Sequence, residues 1–293
     1  MFCKKKATLL VAILCVFAVS FVACSKKEAV SSGAATSADG STSQEVTKAD
    51  KKAEEKKAKE SKKGSSKVKL PTTPNAEEDF IVELTKDGTG AVVKGYNGKS
   101  GEVYIPATIQ GLPVKEVRLN NGAVTAVVVS DGCTSASISG ENIKYISLPD
   151  SVTEYEGLQR TSITEFEVPA GVKVVNKLPE TLEKISFRGA PEEIEDWAFY
   201  PNTKIKTITL PDSIKKIGYC AFTGCKALES INFPASLEEI GSEAFCQNNN
   251  LKEIIIPDSF TSLKFGSDVF YLCSSLPLAT QARLKQLGYK GRF

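Results

Sequence analysis

Histidine is absent from the chain of 293 residues, and tryptophan and methionine occur only once each. Without histidine, the chain lacks the side chain that most often acts as a general base near neutral pH, so a Ser-His-Asp arrangement is excluded. The commonest metal ligand is missing for the same reason. We therefore expect a protein that is not an enzyme and that holds no cofactor and no metal.

Carboxylates do cluster in PEEIEDW (Pro191–Trp197), where a glycosidase pair could be imagined. The cluster falls on a variable, solvent-facing part of the repeat described below, so a solvated charged surface is the favoured interpretation. The glycine-rich stretch GYNGKSG opens no helix and does not indicate a phosphate-binding loop. An enzyme is kept only as a remote alternative.

Charge is distributed unevenly behind a formal net charge of +2. Residues 1–75 carry 15 Lys/Arg against 7 Asp/Glu, whereas residues 76–293 carry 22 against 28. The acidic balance of the longer part argues against a nucleic-acid partner.

The first 24 residues have the pattern of an export signal. Basic MFCKKK precedes the apolar run ATLLVAILCVFAVSF, which is short for a membrane-spanning helix. The run ends in FVAC, and polar sequence follows Cys24. This resembles the lipobox of bacterial lipoproteins, with Phe21 where leucine is usual, a looseness known among spirochaete lipoproteins. The resemblance implies attachment of acyl chains such as palmitate at Cys24; a plain secretory signal and an uncleaved anchor are the alternatives.

Residues 25–75 are rich in Ser, Ala, Thr, Gly and Lys and have almost no large apolar residues. Such a segment cannot form a core, so we expect a disordered tether with a reach of roughly 40 Å. Its lysines could also rest on anionic lipid headgroups. A merely soluble linker is an equally good interpretation.

A short unit recurs between Val103 and Leu276, with L-x-x-I-x-L-P as its best template, as in IKTITLP, LESINFP and LKEIIIP. Its central apolar residues are spaced by 24, 19, 20, 19, 23, 23 and 23 positions. They are Val103, Val127, Ile146, Phe166, Ile185, Ile208, Ile231 and Ile254. A period of about 20–25 with this apolar spacing is typical of a leucine-rich-repeat solenoid.

Alternation within I-x-L predicts a strand with one face towards a shared apolar interior, and stacking pairs strands that are too short to be stable alone. Proline ends each strand because it has no amide donor. In the fuller repeats, IGYCAF and IGSEAF predict a return path with one short helical turn, whose phenylalanine points inward. The predicted fold is a β-rich repeat solenoid with short helical turns.

The residues that flank each central apolar position point outward, and we expect them to form a shallow, extended protein-binding surface. We call those that follow it the outer row: Tyr104, Val128, Ser147, Glu167, Ser186, Thr209, Asn232 and Ile255. Those that precede it form the flanking row: Tyr145, Glu165, Lys184, Thr207, Ser230 and Glu253. Tyr104, Val128, Tyr145 and Ile255 are the least expected exposed residues and the first contact candidates.

Two further columns recur in the return path. Trp197 shares a variable column with Cys220, Glu243 and Asp268, so we expect partial exposure and a possible contact role, with packing over a neighbouring repeat as the alternative. Asn202, Cys225, Asn248 and Cys273 form a column of small polar residues. In leucine-rich repeats such residues bond to the backbone of neighbouring turns, so the two cysteines are predicted to be buried thiols.

The stretch GAVVKGYNGKSGEVYIPATIQGLPVKEV, followed by LPDSI, IG, AF and a later Cys, resembles the BspA-like leucine-rich-repeat family of bacterial surface proteins. The resemblance implies a right-handed coil. The sequence patterns together give these expected segments: 1–24 signal, 25–75 tether, 76–102 β-hairpin cap, 103–276 solenoid and 277–293 helical cap. For the helix of the last segment, Ser275 is the candidate N-cap. Residues 278–287 are expected to form the helix, and Gly288 is expected to end it.

The family resemblance implies adhesion to host matrix proteins or to other bacteria. The leading hypothesis is therefore a non-catalytic protein of the cell envelope, anchored through lipid and favouring the outer surface, which binds a protein or peptide. The alternative is a periplasmic scaffold that binds a partner of the same cell.

Overall fold

A computed structural model describes residues 70–293. The expected signal with Cys24, and the tether as far as residue 69, lie outside the described residues. Within residues 70–293, no helix has the length and apolar character needed to cross a membrane.

The described chain begins with a β-hairpin. A single 3-10 turn (Glu77–Asp79) leads into β1 (Phe80–Leu84), which pairs antiparallel with β2 (Ala91–Tyr96). Asp87 closes the connecting turn, because its carboxylate accepts hydrogen bonds from the Thr85 hydroxyl at 2.6 Å and the Thr89 amide at 3.1 Å. These bonds, the Thr85 one foremost, lower the pKa of Asp87 to about 2.

The rest of the described chain folds into short strands that stack turn upon turn. In chain order they are β3 (Glu102–Ile105), β4 (Thr108–Ile109), β5 (Leu112–Asn120), β6 (Ala126–Val129), β7 (Ser135–Ser139), β8 (Tyr145–Ser147), β9 (Glu154–Glu156), β10 (Glu165–Val168), β11 (Val174–Val175), β12 (Lys184–Phe187), β13 (Glu193–Ile194), β14 (Thr207–Ile208), β15 (Lys216–Ile217), β16 (Ser230–Asn232), β17 (Glu239–Ile240), β18 (Glu253–Ile255) and β19 (Lys264–Phe265). A second 3-10 turn spans Leu158–Arg160.

These strands belong to two stacks. The motif strands, which contain the repeat template, are β3, β6, β8, β10, β12, β14, β16 and β18. The return strands continue the hairpin through parallel pairing of β2 with β5 and run in the order β5, β7, β9 and then β11, β13, β15, β17, β19. The predicted solenoid is thus confirmed, with about eight turns.

Strand register follows the repeat template. Val103 pairs with Val127 and Val127 with Ile146, all in parallel strands. The same alignment joins Phe166 to Ile185, and Ile208 to Ile231 and Ile254. Because side chains alternate between the faces of a strand, this register stacks the central apolar residues into one interior column.

The return path builds a second interior column from phenylalanine. Phe199, Phe222, Phe245 and Phe270 are buried, and successive ring centroids lie 4.7, 5.1 and 5.5 Å apart with interplanar angles of 19°, 6° and 7°. Each ring therefore repeats at close to the strand spacing. The segments that carry the rings are hydrogen-bonded turns whose amides also reach the next turn, as from Phe222 to the Ala244 carbonyl at 2.8 Å.

Charges of alternating sign run along the return strands. Glu193, Lys216, Glu239 and Lys264 are register partners in four successive strands. Lys216 lies 2.6 Å from Glu193, and Lys264 lies 2.8 Å from Glu239. The hydrogen bond that Lys216 donates to Glu193 raises the pKa of Lys216. Exposed pairs of this kind add little stability each, but pairing β13 directly with β17 would place Glu193 against Glu239.

Helix α1 (Leu278–Gln286) follows the last turn. The prediction of Ser275 as its N-cap is wrong: the N-cap is Pro277, and no side chain caps the first turn. Gly288 follows the helix with φ 112°, a conformation that glycine adopts without strain. Beyond it, the buried Tyr289 packs its ring 5.1 Å from that of Phe270 and so covers the end of the phenylalanine column.

Candidate protein-binding surface

The motif strands carry the outer and flanking rows on the face opposite the apolar interior. Register partners include Tyr104 with Val128 and Val128 with Ser147, so neighbouring side chains of the outer row stand side by side. Farther along, Glu167 pairs with Ser186. None of the outer-row or flanking-row residues is buried, in contrast to Val127 and Ile231 between them, which are 0% and 1% exposed.

Exposure changes along the outer row. Tyr104, Val128 and Ser147 are half-buried, whereas Glu167, Ser186, Thr209 and Ile255 are exposed. Ile255 is the clearest apolar residue among them, with 56% of its surface accessible. Asn232 is half-buried and uses its amide internally: the side chain donates to the Leu210 carbonyl at 2.9 Å and accepts from the Leu210 amide at 2.7 Å.

A shallow groove of about 470 Å³ crosses three of the motif strands. It is lined by Leu70, Tyr145, Ile146, Ser147, Glu165, Phe166, Glu167, Lys184, Ile185 and Ser186. The groove thus combines apolar surface with hydroxyl and charged groups, which is the character of a surface for a polypeptide rather than of an enclosed site for a small molecule.

The charges of the groove are already paired. Lys184 lies 2.7 Å from Glu165, a contact that raises the pKa of Lys184. Arg188 lies 3.2 Å from Asp150 and 3.6 Å from Glu167, and it also donates to the Leu148 carbonyl. The charged side chains beside the groove are thus paired with one another.

The structure separates Trp197 from the other contact candidates. It lies in the turn after β13, among the return strands, and not on a motif strand. Its ring contacts Tyr200 at 4.9 Å and Tyr219 at 5.2 Å between centroids, both edge to face. Tyr200 and Tyr219 are 46% and 39% exposed, while Trp197 is half-buried between them.

The residues in the column of Trp197 differ in type but share one backbone conformation. Trp197, Cys220, Glu243 and Asp268 have φ of 63°, 53°, 57° and 50°. Few residues other than glycine adopt this left-handed region, so the turn imposes it in every fuller repeat. The four residues of this column therefore have the same structural role, which is to form the left-handed turn after β13, β15, β17 and β19.

The column of small polar residues is buried and bonded to backbone. The Cys225 thiol donates to the Phe199 carbonyl at 3.5 Å, and the Cys273 thiol donates to the Phe245 carbonyl at 3.0 Å. Between them, the Asn248 amide donates to the Phe222 carbonyl at 2.9 Å. Each of these residues thus ties its turn to the phenylalanine of the turn before.

Asn202 begins this column with four hydrogen bonds. Its amide donates to the carbonyls of Pro179 and Leu182 at 3.2 and 2.8 Å, and its oxygen accepts from the amides of Lys204 and Ile205 at 3.0 and 2.9 Å. All four residues of the column are at most 1% exposed. Their geometry is that of structural links between turns.

A family model described as BspA type leucine rich repeat region matches residues 177–290 in six copies. Among solved structures, a leucine-rich repeat protein of T. pallidum is 26% identical with a TM-score of 0.51, and the match covers 75% of this chain and 99% of that one. These two findings agree with the solenoid of parallel strands and with its predicted fold class.

Two other solved structures are more distant. A leucine rich cell surface protein of Faecalibacterium prausnitzii is 15% identical with a TM-score of 0.25, over 77% of this chain and 100% of that one. A leucine-rich repeat protein of Bacteroides ovatus is 15% identical with a TM-score of 0.23, over 76% and 99%. No curated protein matches the chain.

The cysteines of the solenoid have the chemistry of buried thiols. Cys133, Cys220, Cys225, Cys246 and Cys273 are all free and buried. Burial raises the pKa of Cys133 and Cys246 to about 11 and that of Cys273 to about 12. Thiols that stay protonated are poor nucleophiles and poor metal ligands. Among residues 70–293, no group of three or more Cys, Asp or Glu side chains could hold a metal ion.

Two features of the surface were missed from the sequence. Leu70 was placed in the tether, yet it lines the groove, and Arg188 joins two turns through Asp150 and Glu167. The signal for Leu70 was its place in LPTTPN, because two prolines favour an extended chain in a region otherwise poor in large apolar residues. Arg188 gave no such signal, since its partners lie in different repeats.

Proposed function

We propose that this chain is a non-catalytic protein of the bacterial cell envelope, anchored through acyl chains on Cys24, that binds a protein partner along its outer row. Adhesion to a host matrix protein on the outer surface is the favoured form of this function. The observation that carries the proposal is the long row of unburied side chains on the motif strands. It presents Glu167, Ser186 and Thr209 to solvent in three successive turns, and Ile255 two turns farther along.

Physical considerations support a protein ligand. A solenoid face gives a large contact area built from many small contributions, which suits an extended partner. The groove over β8, β10 and β12 adds a local depression in which a partner side chain can be desolvated.

The test is a footprint of the bound partner. The full chain in detergent micelles is used to capture candidate host matrix proteins, and hydrogen exchange is compared with and without the captured protein. We expect slower exchange in at least three consecutive motif strands between β8 and β18. Protection confined to the β1–β2 hairpin or to α1 contradicts this assignment of the surface.

Localisation needs a separate measurement. Protease added to intact cells should remove the solenoid if it faces outward. Complete protection, lost only when the outer membrane is opened, would instead favour the periplasmic scaffold.

A further inference from the structure

Residues 70–75 lie against the surface that the proposed function uses. Asn75 is fixed beside β3, because its amide donates to the Tyr104 carbonyl at 3.1 Å and its side-chain oxygen accepts from the Tyr104 amide at 2.7 Å. The Asn75 side chain also donates to the Tyr96 hydroxyl at 2.8 Å. The segment is therefore attached at the edge strand of the motif stack.

From this attachment the chain reaches the groove. Leu70 stands five residues before Asn75, and an extended chain of that length spans about 17 Å. The strand β8 lies two strand spacings from β3, which is about 10 Å. Pro71 and Pro74 favour extended backbone in the residues that precede them, and no helix or strand is formed in this segment. This length is sufficient to connect β3 with the groove, and Leu70 lines the groove together with Tyr145 and Phe166.

Burial along the outer row agrees with this path. Tyr104, Val128 and Ser147, on the strands between the attachment and the groove, are half-buried, and the next three members of the row are exposed. Leu70 itself is half-buried. By contrast, Leu84 and Leu278, which do not line this groove, are 63% and 83% exposed.

We infer that the groove is a binding site for a leucine side chain carried on an extended, proline-containing backbone, and that Leu70 occupies it in cis until a partner segment of the same kind replaces it. This rests on the proposed function and adds the chemistry of the partner. An attached segment has a high effective concentration, so a free peptide that contacts only the groove competes poorly with it. A partner that also contacts the exposed part of the outer row has additional contacts and displaces Leu70. The segment therefore selects for long partners.

The first experiment uses a labelled peptide with the sequence of residues 67–75, KVKLPTTPN, as the probe. It is titrated against the full chain, the Leu70→Asp variant and the control Leu278→Asp, which changes an equally apolar but detached side chain. In Leu70→Asp, the loss of the apolar side chain and the cost of desolvating a carboxylate should vacate the groove. We expect the peptide to bind this variant about ten-fold more tightly than the full chain or the control, because occupancy in cis lowers apparent affinity. A peptide with aspartate in place of its leucine should not bind.

The second experiment fills the groove. Ser147→Trp places a large side chain at its lining, and Thr209→Trp makes the same change in the outer row beyond it. Trypsin should cleave the bond between Lys69 and Leu70 several-fold faster in Ser147→Trp than in Thr209→Trp or the unaltered chain. Equal cleavage rates, or equal peptide affinity for Leu70→Asp and Leu278→Asp, overturn the inference.

The outcomes separate this inference from the proposed function. A partner footprint on the motif strands, combined with no peptide binding to Leu70→Asp, overturns the leucine site and leaves the binding surface. Peptide binding in the groove, combined with a partner footprint elsewhere, supports the leucine site and contradicts the proposed surface.

Discussion

Replacing Phe222 by alanine tests the interior column on which the return path depends. The ring is 0% exposed and is stacked between Phe199 at 4.7 Å and Phe245 at 5.1 Å. Truncation of a buried phenylalanine costs about 3–5 kcal/mol, and the loss of two stacked neighbours places this position at about 4–5 kcal/mol. A cavity here would lie between two turns, so it would also weaken the coupling between neighbouring repeats.

Urea unfolding measures the effect. Trp197 is the only tryptophan and lies one turn before Phe222, so its fluorescence reports on the adjoining repeat, while far-ultraviolet circular dichroism reports on the whole solenoid. We expect a lower midpoint for Phe222→Ala by both probes. Phe222→Leu is the matched control and should cost only about 1–2 kcal/mol, because it keeps most of the apolar volume. A loss below about 1.5 kcal/mol for Phe222→Ala, or equal losses for the two variants, would refute the stacked interior.

Three other predictions follow from the same structure. Ile231→Ala should lower the free energy of unfolding by about 2–5 kcal/mol and Ser186→Ala by less than roughly 0.5 kcal/mol in urea titrations; equal losses would mean that the inward and outward faces are exchanged. Cys24→Ser should leave an unprocessed or soluble protein, because stable anchoring needs two acyl chains, and a cleaved variant that still sediments with membranes contradicts lipid attachment. Burial raises the pKa of Cys133 and Cys246 to about 11 in the folded chain. As the pH rises, the unfolded chain therefore loses these two protons before the folded chain does. The free energy of unfolding should fall between about pH 8.5 and 11, by about 1.4 kcal/mol per pH unit for each thiol. A urea midpoint that stays constant over that range in the unaltered chain would contradict their burial.

The solenoid could be predicted because each turn is specified by a short apolar pattern that recurs along the sequence. The central residues Val127, Ile146 and Ile231 could be aligned by letter type alone, and the observed register joins the same residues. The Phe222 side chain was expected inside for the same reason. Because the same pattern recurs in every turn, the repeats can be compared with one another. A misleading residue at one position of one repeat therefore matters little.

The rest depended on contacts between distant residues or on backbone geometry. Leu70 lines the groove and Asn75 is bonded to Tyr104, and the sequence separates Asn75 from Tyr104 by 29 positions. The cap of α1 was misplaced because Ser275 has a suitable side chain, yet the chain turns at Pro277. In the Trp197 column, the variety of residue types indicated an unconstrained position, whereas all four residues adopt one left-handed backbone conformation.

The alternating charges of the return strands limit how the array can change its length. Glu193, Lys216, Glu239 and Lys264 pair in successive turns, and Glu192 with Lys215 forms a second column of the same alternation at 2.8 Å. Deletion of the single turn that holds Lys215 and Lys216 would bring Glu193 against Glu239. Deletion or duplication of two neighbouring turns would preserve opposite charges at every junction. Gene rearrangements in this region should therefore be tolerated more readily in pairs of repeats than in single ones.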